Sequence, residues 1–484
     1  MSISASLANA LSGLTAVARG AEVVSSNVSN ALTEGYGRRE IELGARNVAG
    51  SGSGVRVLAV NRAVDPYILG ERRIADAEFA NQDTRAQFRQ KLQNILGQPD
   101  DPGSLTGRFS SFDSALIEAA SRPDSVTRLD ASANDARALA DRLNFASDSI
   151  QGLRMEADQA IKVQVDRLNT GLAQVQDLNI RIRANAASGR EINTMLDQRQ
   201  ILVDELAQIV PMRVAQREGG QIALYTTGGS ILLDGPPADI TFAAAGVITP
   251  DMTAASGALG NILVNGNPVT GVPGGRLAGG SLGAAFEARD VAAVAAQADL
   301  DAIARDLIER FASPTIDPTL MPGDPGLFTD AGTAFVATDE IGIAGRIRLN
   351  ALVDPTQGGD SWRMRDGLGA PSPGNVGDPT LLYALSDALT TSRIPASGSF
   401  SGASKSASGL AGEFISKLNA QLVSAQGERT FSLAQRDVLK SVELQNGVDS
   451  DEEMQKLLLL EQAYAANAKV VSSADEMLQQ LLRL

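Results

Sequence analysis

Two stretches near the ends of the chain constrain the fold more than anything between them. From Ser450 to Leu484 no Gly or Pro interrupts the sequence, and Leu457, Leu460, Tyr464, Asn467, Val471, Ala474, Leu478 and Leu481 recur at alternating spacings of three and four. That is the period of a helix with a narrow apolar seam, and Asn467 is its single polar position, a residue type that fixes register at some cost in stability. Ser450 is placed to cap the helix, with Glu453 reaching back as its capping-box partner. Asp449, Asp451, Glu452 and Glu453 sit where the positive end of the helix dipole favours carboxylates. The first stretch repeats the pattern with Leu7, Ala10, Leu14, Val17, Ala21, Val24, Val28 and Ala31. A helix that is polar over most of its surface gains stability by packing its stripe, so each is the simplest partner for the other. Two ordinary amphipathic helices packed on a globular core fit the same periodicity.

Composition narrows the chemistry. The 484 residues allow two to four domains. The sequence contains no Cys and no His. Disulfides, thiolate catalysis and Cys-ligated metal sites are therefore excluded, as are Ser-His-Asp and histidine-ligated zinc chemistries. A formal net charge of −15, with no basic run, makes nucleic acid and anionic membrane surfaces poor partners. There is no run of about 18 apolar residues to span a membrane. The N-terminus has neither the basic start nor the apolar core of a Sec-type signal peptide, which leaves a non-Sec export route open. There is no P-loop or EF-hand loop. The expectation is a protein that is not an enzyme and holds no cofactor or metal.

Between the ends the period changes several times. Residues 40–43 and 55–60 alternate like short strands around a Gly/Ser turn at 50–54. Asp65-Pro66 opens a helix to about Leu96. Helices are expected over 105–121, 124–187, 191–210, 282–311 and 409–443. From 213 to 282 the period shifts to two, which reads as a small β domain inserted between helices. Strand-like pieces at 333–338 and 345–349 extend a second β element within an irregular 313–400, and 354–379 reads as loop. The expected architecture is mainly α with an inserted β domain. Residues 1–45 plus 441–484 form a terminal coiled coil, 46–212 plus 283–440 a long-helix bundle, and 213–282 a small outer β-rich domain. Asp197-Gln198-Arg199 reads as a packing and ion-pair site.

Several motifs carry a family resemblance. Ser26-Asn27-Val28-Ser29-Asn30 and Thr33-Glu34-Gly35-Tyr36 resemble the N-terminal turn of the flagellar axial proteins. Ser110-Ser111-Phe112, Met195-Leu196-Asp197-Gln198-Arg199, Leu224-Tyr225-Thr226-Thr227-Gly228-Gly229 and Arg289-Asp290 look like segments of the hook-associated protein 1 family. Asp451-Glu452-Glu453-Met454, Glu461-Gln462-Ala463-Tyr464 and Ala474-Asp475-Glu476-Met477-Leu478 look like its C-terminal helix. The sequence departs from the family at Ser313-Pro314-Thr315-Ile316-Asp317-Pro318. The resemblance implies a structural subunit of the bacterial flagellum, secreted through the flagellar type III route and joining hook to filament. Its implied partners are further copies in a ring-like layer, the hook protein, the second junction protein and an export chaperone. The implied assembly seam is Leu7, Leu14, Val17, Val24, Val28, Leu457, Leu460, Tyr464, Asn467, Val471, Leu478 and Leu481. Another axial protein of the rod or hook, or a non-catalytic helical binding protein, remains the alternative.

Overall fold

The first helix, α1 (Ile3–Ser29), leads through a turn into a long antiparallel hairpin, β1 (Arg38–Val48) and β2 (Ser51–Ala63). The computed structural model describes residues 3–48, 51–98, 101–272, 274–400 and 402–482. The hairpin extends the two short strands expected at 40–43 and 55–60. α2 (Pro66–Leu96) starts where Asp65 accepts from the Tyr67 backbone N–H at 2.8 Å, and Pro66 loses no hydrogen bond in the first turn. α3 (Leu105–Ser121) is capped by Ser104, which accepts from Gly107 N at 3.0 Å. α4 (Val126–Ala187) then runs 62 residues, and a turn at Gly189 (φ 67°) leads to α5 (Asn193–Ile209).

The stretch expected to form one β domain makes two separate sheets. β3 (Met212–Gln216), β4 (Ile222–Thr226) and β5 (Ile231–Leu233) form one. β6 (Ile240–Thr241), β7 (Ile262–Val264) and β8 (Asn267–Val269) form the other. The apolar residues Phe242 and Ile248 anchor a loop between β6 and β7 rather than a ladder. Ala243, Ala244, Ala245 and Gly246 have little strand preference, and the Ala245 N–H is taken by Asp158 at 2.7 Å. Beyond lie α6 (Gly280–Glu287), a π-helical turn at Ala288–Ala292, and α7 (Ala293–Phe311).

The region after α7 holds β9 (Phe328–Asp330) paired with β10 (Ile347–Leu349), then α8 (Arg363–Asp366) and α9 (Thr380–Thr390). The strand expected at 333–338 lies earlier, at 328–330. Ala331 (φ 49°) and Gly332 (φ 94°) turn the chain away from the ladder after Asp330. α9, which the sequence reading passed over, buries Leu382, Leu385 and Leu389. α10 (Ala407–Gln445) and α11 (Ser450–Leu482) complete the described chain.

The residues divide into two compact units. Unit 1 comprises 1–79, 167–238 and 432–484; unit 2 comprises 80–166 and 239–431. Unit 2 has one continuous apolar core, in which Phe112, Phe311 and Phe328 meet with ring centroids 5.5–6.1 Å apart. In the π turn, fully buried Arg289 pairs with Asp158 at 2.5 Å and Asp290 at 2.8 Å, its guanidinium 4.9 Å from the Phe286 ring centroid. Unit 1 also carries ion pairs in its interior. Arg72 meets Asp76, Asp204 and Glu443, each at 2.5 Å, and ties α2, α5 and α10 together. Burial pushes the Asp76 and Glu443 carboxyls up, against the pull of Arg72.

Candidate assembly surface

α1 is built largely of small residues, and this decides how closely a second helix can approach. A Cβ on Gly13 would lie 2.7 Å from Asn467 Oδ1, and one on Gly20 3.0 Å from Leu460 Cδ2. Asn27 donates to Glu453 Oε2 at 3.0 Å. α1 positions rise by seven while α11 positions fall by seven, so the two helices pair antiparallel in a heptad register. On another face α1 rests on the hairpin, where Ser12 Oγ accepts from Val55 N at 3.1 Å. Gly54 (φ 102°) lies directly under Ser12, with no room for a side chain.

Asn27 is the polar centre of this junction. Its amide donates to Arg39 O at 2.9 Å and accepts from Arg39 N at 2.8 Å, as a neighbouring strand would. Its Oδ1 also accepts from the Tyr36 hydroxyl at 2.9 Å. With Glu453 these contacts use both donors and both lone pairs of a fully buried amide. The Ser26–Asn30 and Thr33–Tyr36 motifs therefore have a mechanical meaning: they fasten the end of α1, the start of β1 and the first turn of α11 at one point. Glu453 does not close a capping box. Asp449 caps α11, accepting from Asp451 N at 2.8 Å and Glu452 N at 3.2 Å, and this frees Glu453 to turn inward.

Asp197 lies nearby on α5. It accepts from Gly37 N at 3.1 Å and Arg62 Nε at 2.7 Å, and it pairs with Arg39. Burial pulls the Arg62 guanidinium below its ordinary value, while Asp197 pulls it back up. Arg199 has no carboxylate in contact among the described residues. It holds Asn179 Oδ1 at 2.8 Å and Gly220 O at 2.7 Å, and burial lowers it to about 10. The Asp197-Gln198-Arg199 segment is thus an ion-pair and packing site. Around Arg19, Tyr36, Arg39 and Asp197 lies a hollow of about 390 Å³.

The twelve seam residues are distributed unevenly. Val24 is buried; Leu7, Leu14, Val17, Leu457, Leu460, Asn467 and Val471 are half-buried. Val28, Tyr464, Leu478 and Leu481 are exposed, Tyr464 at 51% and Leu481 at 58%. Asn467 does not bond across the seam; it donates to Ala463 O of its own helix at 2.9 Å. The sequence reading leaves Gly13, Gly20, Asn27 and Glu453 out of the seam, although they make close contacts between the two helices. Their signal is the heptad spacing of Gly13, Gly20 and Asn27, which an apolar count passes over. α11 also carries a second row beside the seam, through Leu459, Ala463, Ala466, Val470, Ser473, Met477 and Leu481. Leu459 (65%), Val470 (45%) and Met477 (48%) of this row stand in solvent. A groove of about 920 Å³ runs along the helix pair beside Val17, Ala21, Leu457 and Tyr464. Among the described residues no helix is long and apolar enough to cross a membrane, and no group of acidic residues is placed to hold a metal ion.

Residues 89–314 match the family described as the flagellar hook-associated protein FlgK helical domain. Residues 445–484 match the flagellar basal body rod FlgEFG protein C-terminal family. The flagellar hook-associated protein 1 of Salmonella typhimurium is 30% identical over 237 residues, covering 48% of this chain and 42% of that protein. That of Bacillus subtilis is 26% identical over 240 residues, 47% of each. That of Escherichia coli is 27% identical over 264 residues, 52% of this chain and 48% of that protein. The chain thus matches just under half the length of these relatives. Among solved structures, the flagellar hook junction protein FlgK from Burkholderia pseudomallei aligns with a TM-score of 0.44 at 22% identity, covering 54% of this chain and 47% of that one.

Proposed function

The chain belongs to the flagellar hook-associated protein 1 family, and from that premise we propose that it is a structural subunit of the bacterial flagellum joining hook to filament. The observation that carries the reading is the second row on α11. A helix with one apolar face against α1 and another in solvent is suited to pack between its own partner and a neighbouring copy. Leu459, Val470, Met477, Leu478 and Leu481, with Tyr464 beside the groove, are the assembly residues. Their neighbours are further copies of this chain, the hook protein on one side and the second junction protein on the other. The subunit reaches its place outside the cell through the flagellar export route, accompanied by an export chaperone. Its function is mechanical contact and it catalyses no reaction.

The match of residues 445–484 to the rod-protein C-terminal family supports a second reading, a subunit of the rod or hook itself. One experiment separates them: electron microscopy of a strain lacking this chain, with flagellin measured in the medium. Hooks without filaments and flagellin shed into the medium are expected. Missing hooks would move the protein into the rod or hook, and intact filaments would refute both. In the same strain, Leu459→Asp supplied on a plasmid is expected to leave hooks bare, because it places a charge on the outward row. Filaments of normal number from that variant would remove the second row from the assembly surface.

A further inference from the structure

The α1–α11 pair repeats itself, and the repeat raises the question of what chooses its register. Gly13 receives Asn467 and Gly20 receives Leu460. One heptad further along, Ser6 falls opposite Ala474, which is buried. Sliding α11 by seven residues toward the N-terminus of α1 brings Leu460 to Gly13, Glu453 to Gly20 and Asn467 to Ser6. Each small position of α1 again receives a side chain, so apolar packing discriminates poorly between the two arrangements. The shift is about 10.5 Å at the helical rise. The link 446–449 together with one unwound turn of α11 can take it up, since extended chain covers about twice the length per residue that helix does. α1 itself stays on the hairpin through Ser12 and Val55, so α11 is the partner that moves.

Among the described residues, one hydrogen bond between the two helices does not repeat. Asn27 donates to Glu453 across the pair, while Asn467, the polar residue of the apolar seam, donates to its own helix. In the shifted register Glu453 loses its amide partner beside Gly20, and buried Asn27 keeps one donor unsatisfied. We infer that Asn27 and Glu453 are the register-determining pair of the terminal helices, holding α11 out of an alternative arrangement displaced by one heptad. The inference depends on the helix pairing alone and stands or falls separately from the flagellar reading.

The absence of cysteine from the sequence makes the test direct in the full-length chain. Ser6→Cys with Ala474→Cys reports the observed register, and Ser6→Cys with Asn467→Cys the displaced one, by disulfide formation under mild oxidation in dilute solution. In the otherwise unchanged chain the 6–474 bridge is expected and the 6–467 bridge is not. Adding Asn27→Leu is expected to raise the 6–467 bridge at least tenfold and lower the 6–474 bridge. Adding Glu453→Gln, whose amide oxygen still accepts from Asn27, is expected to keep the parent pattern. Persistence of 6–474 alone in Asn27→Leu overturns the inference. Loss of both bridges also overturns it, since the pair would then have come apart rather than shifted. Equal bridging at both positions in the parent overturns it as well, because no register would then be selected.

Discussion

Phe112, Phe311 and Phe328 in unit 2 are each no more than 2% exposed, whereas Tyr464 and Leu481 on α11 in unit 1 are more than half exposed. Both regions are helical and both are rich in apolar residues. In unit 2, α3, α7, α9 and the start of α10 contribute to one buried cluster, in which Phe112, Phe311, Phe328 and Leu307 are covered within the chain. In the terminal pair, α1 is covered by α11 on one face and by the hairpin on another, while the second row of α11 stays in solvent. The same residue chemistry is therefore buried in one region and left in solvent along one row of α11 in the other.

The largest test of that contrast is a truncation on each side of it. Phe311→Ala is expected to destabilise unit 2 by about 3–5 kcal/mol, because it removes a buried ring and leaves a cavity among Phe112, Phe328 and Leu307. Tyr464→Ala is expected to change the stability of the free chain by no more than about 0.5 kcal/mol. Urea unfolding followed by near-ultraviolet circular dichroism would check the first, and amide exchange along α11 the second. Equal losses would break the comparison, since Tyr464 would then be held by contacts within the chain.

Next in size is an effect of pH confined to unit 2. Asp301 accepts from Gly342 N at 2.8 Å, Ala344 N at 2.9 Å and Gln297 Nε2 at 2.9 Å. Burial nevertheless pushes its carboxyl up to about 6 from 3.8, with Arg346 only partly offsetting it. Between those values the folded chain holds a proton that the unfolded chain has released. This contribution is therefore greatest below about pH 4, and it declines as pH rises through 6. Its full span is on the order of 2–3 kcal/mol. Stability measured from pH 4 to 7 should show the decline in the parent and a flatter profile in Asp301→Asn. An identical pH slope in the two proteins would rule Asp301 out as its source.

What the sequence disclosed follows the same division. Helix positions were readable because long breaker-free runs with apolar periodicity have few alternatives: 105–121 was placed to the residue, and α4 and α5 to within two residues at either end. The hairpin β1–β2 was readable from its alternation. The strand reading failed between 242 and 260, where apolar residues anchor a loop through side chains, and at 333–338, where Ala331 and Gly332 turn the chain away from the ladder. Both are tertiary decisions, set by Asp158 in one case and by a positive φ in the other. At the junction, counting apolar residues found the stripe but missed its closest contacts. Gly13 and Gly20 act through the absence of a side chain, and Asn27 and Glu453 through a hydrogen bond between residues 426 positions apart.

The smallest expected effect sharpens the account of how α11 begins. Ser450 and Glu453 satisfy the pattern of a capping box, yet Asp449 Oδ1 accepts from the N–H groups of Asp451 and Glu452. A carboxylate there fills free backbone donors and also faces the positive end of the helix dipole. Asp449→Ala is expected to cost about 1 kcal/mol in the first turn, and Ser450→Ala only a few tenths. Amide exchange at Asp451 and Glu452 would read the difference, with faster exchange only in the Asp449 variant. That turn carries Glu453 toward Asn27, so fraying in Asp449→Ala should spread to the Asn27 side chain, whose amide protons would exchange faster too. If Ser450→Ala proved the more damaging, the cap would belong to Ser450, and Glu453 would divide its hydrogen bonding between the helix start and α1.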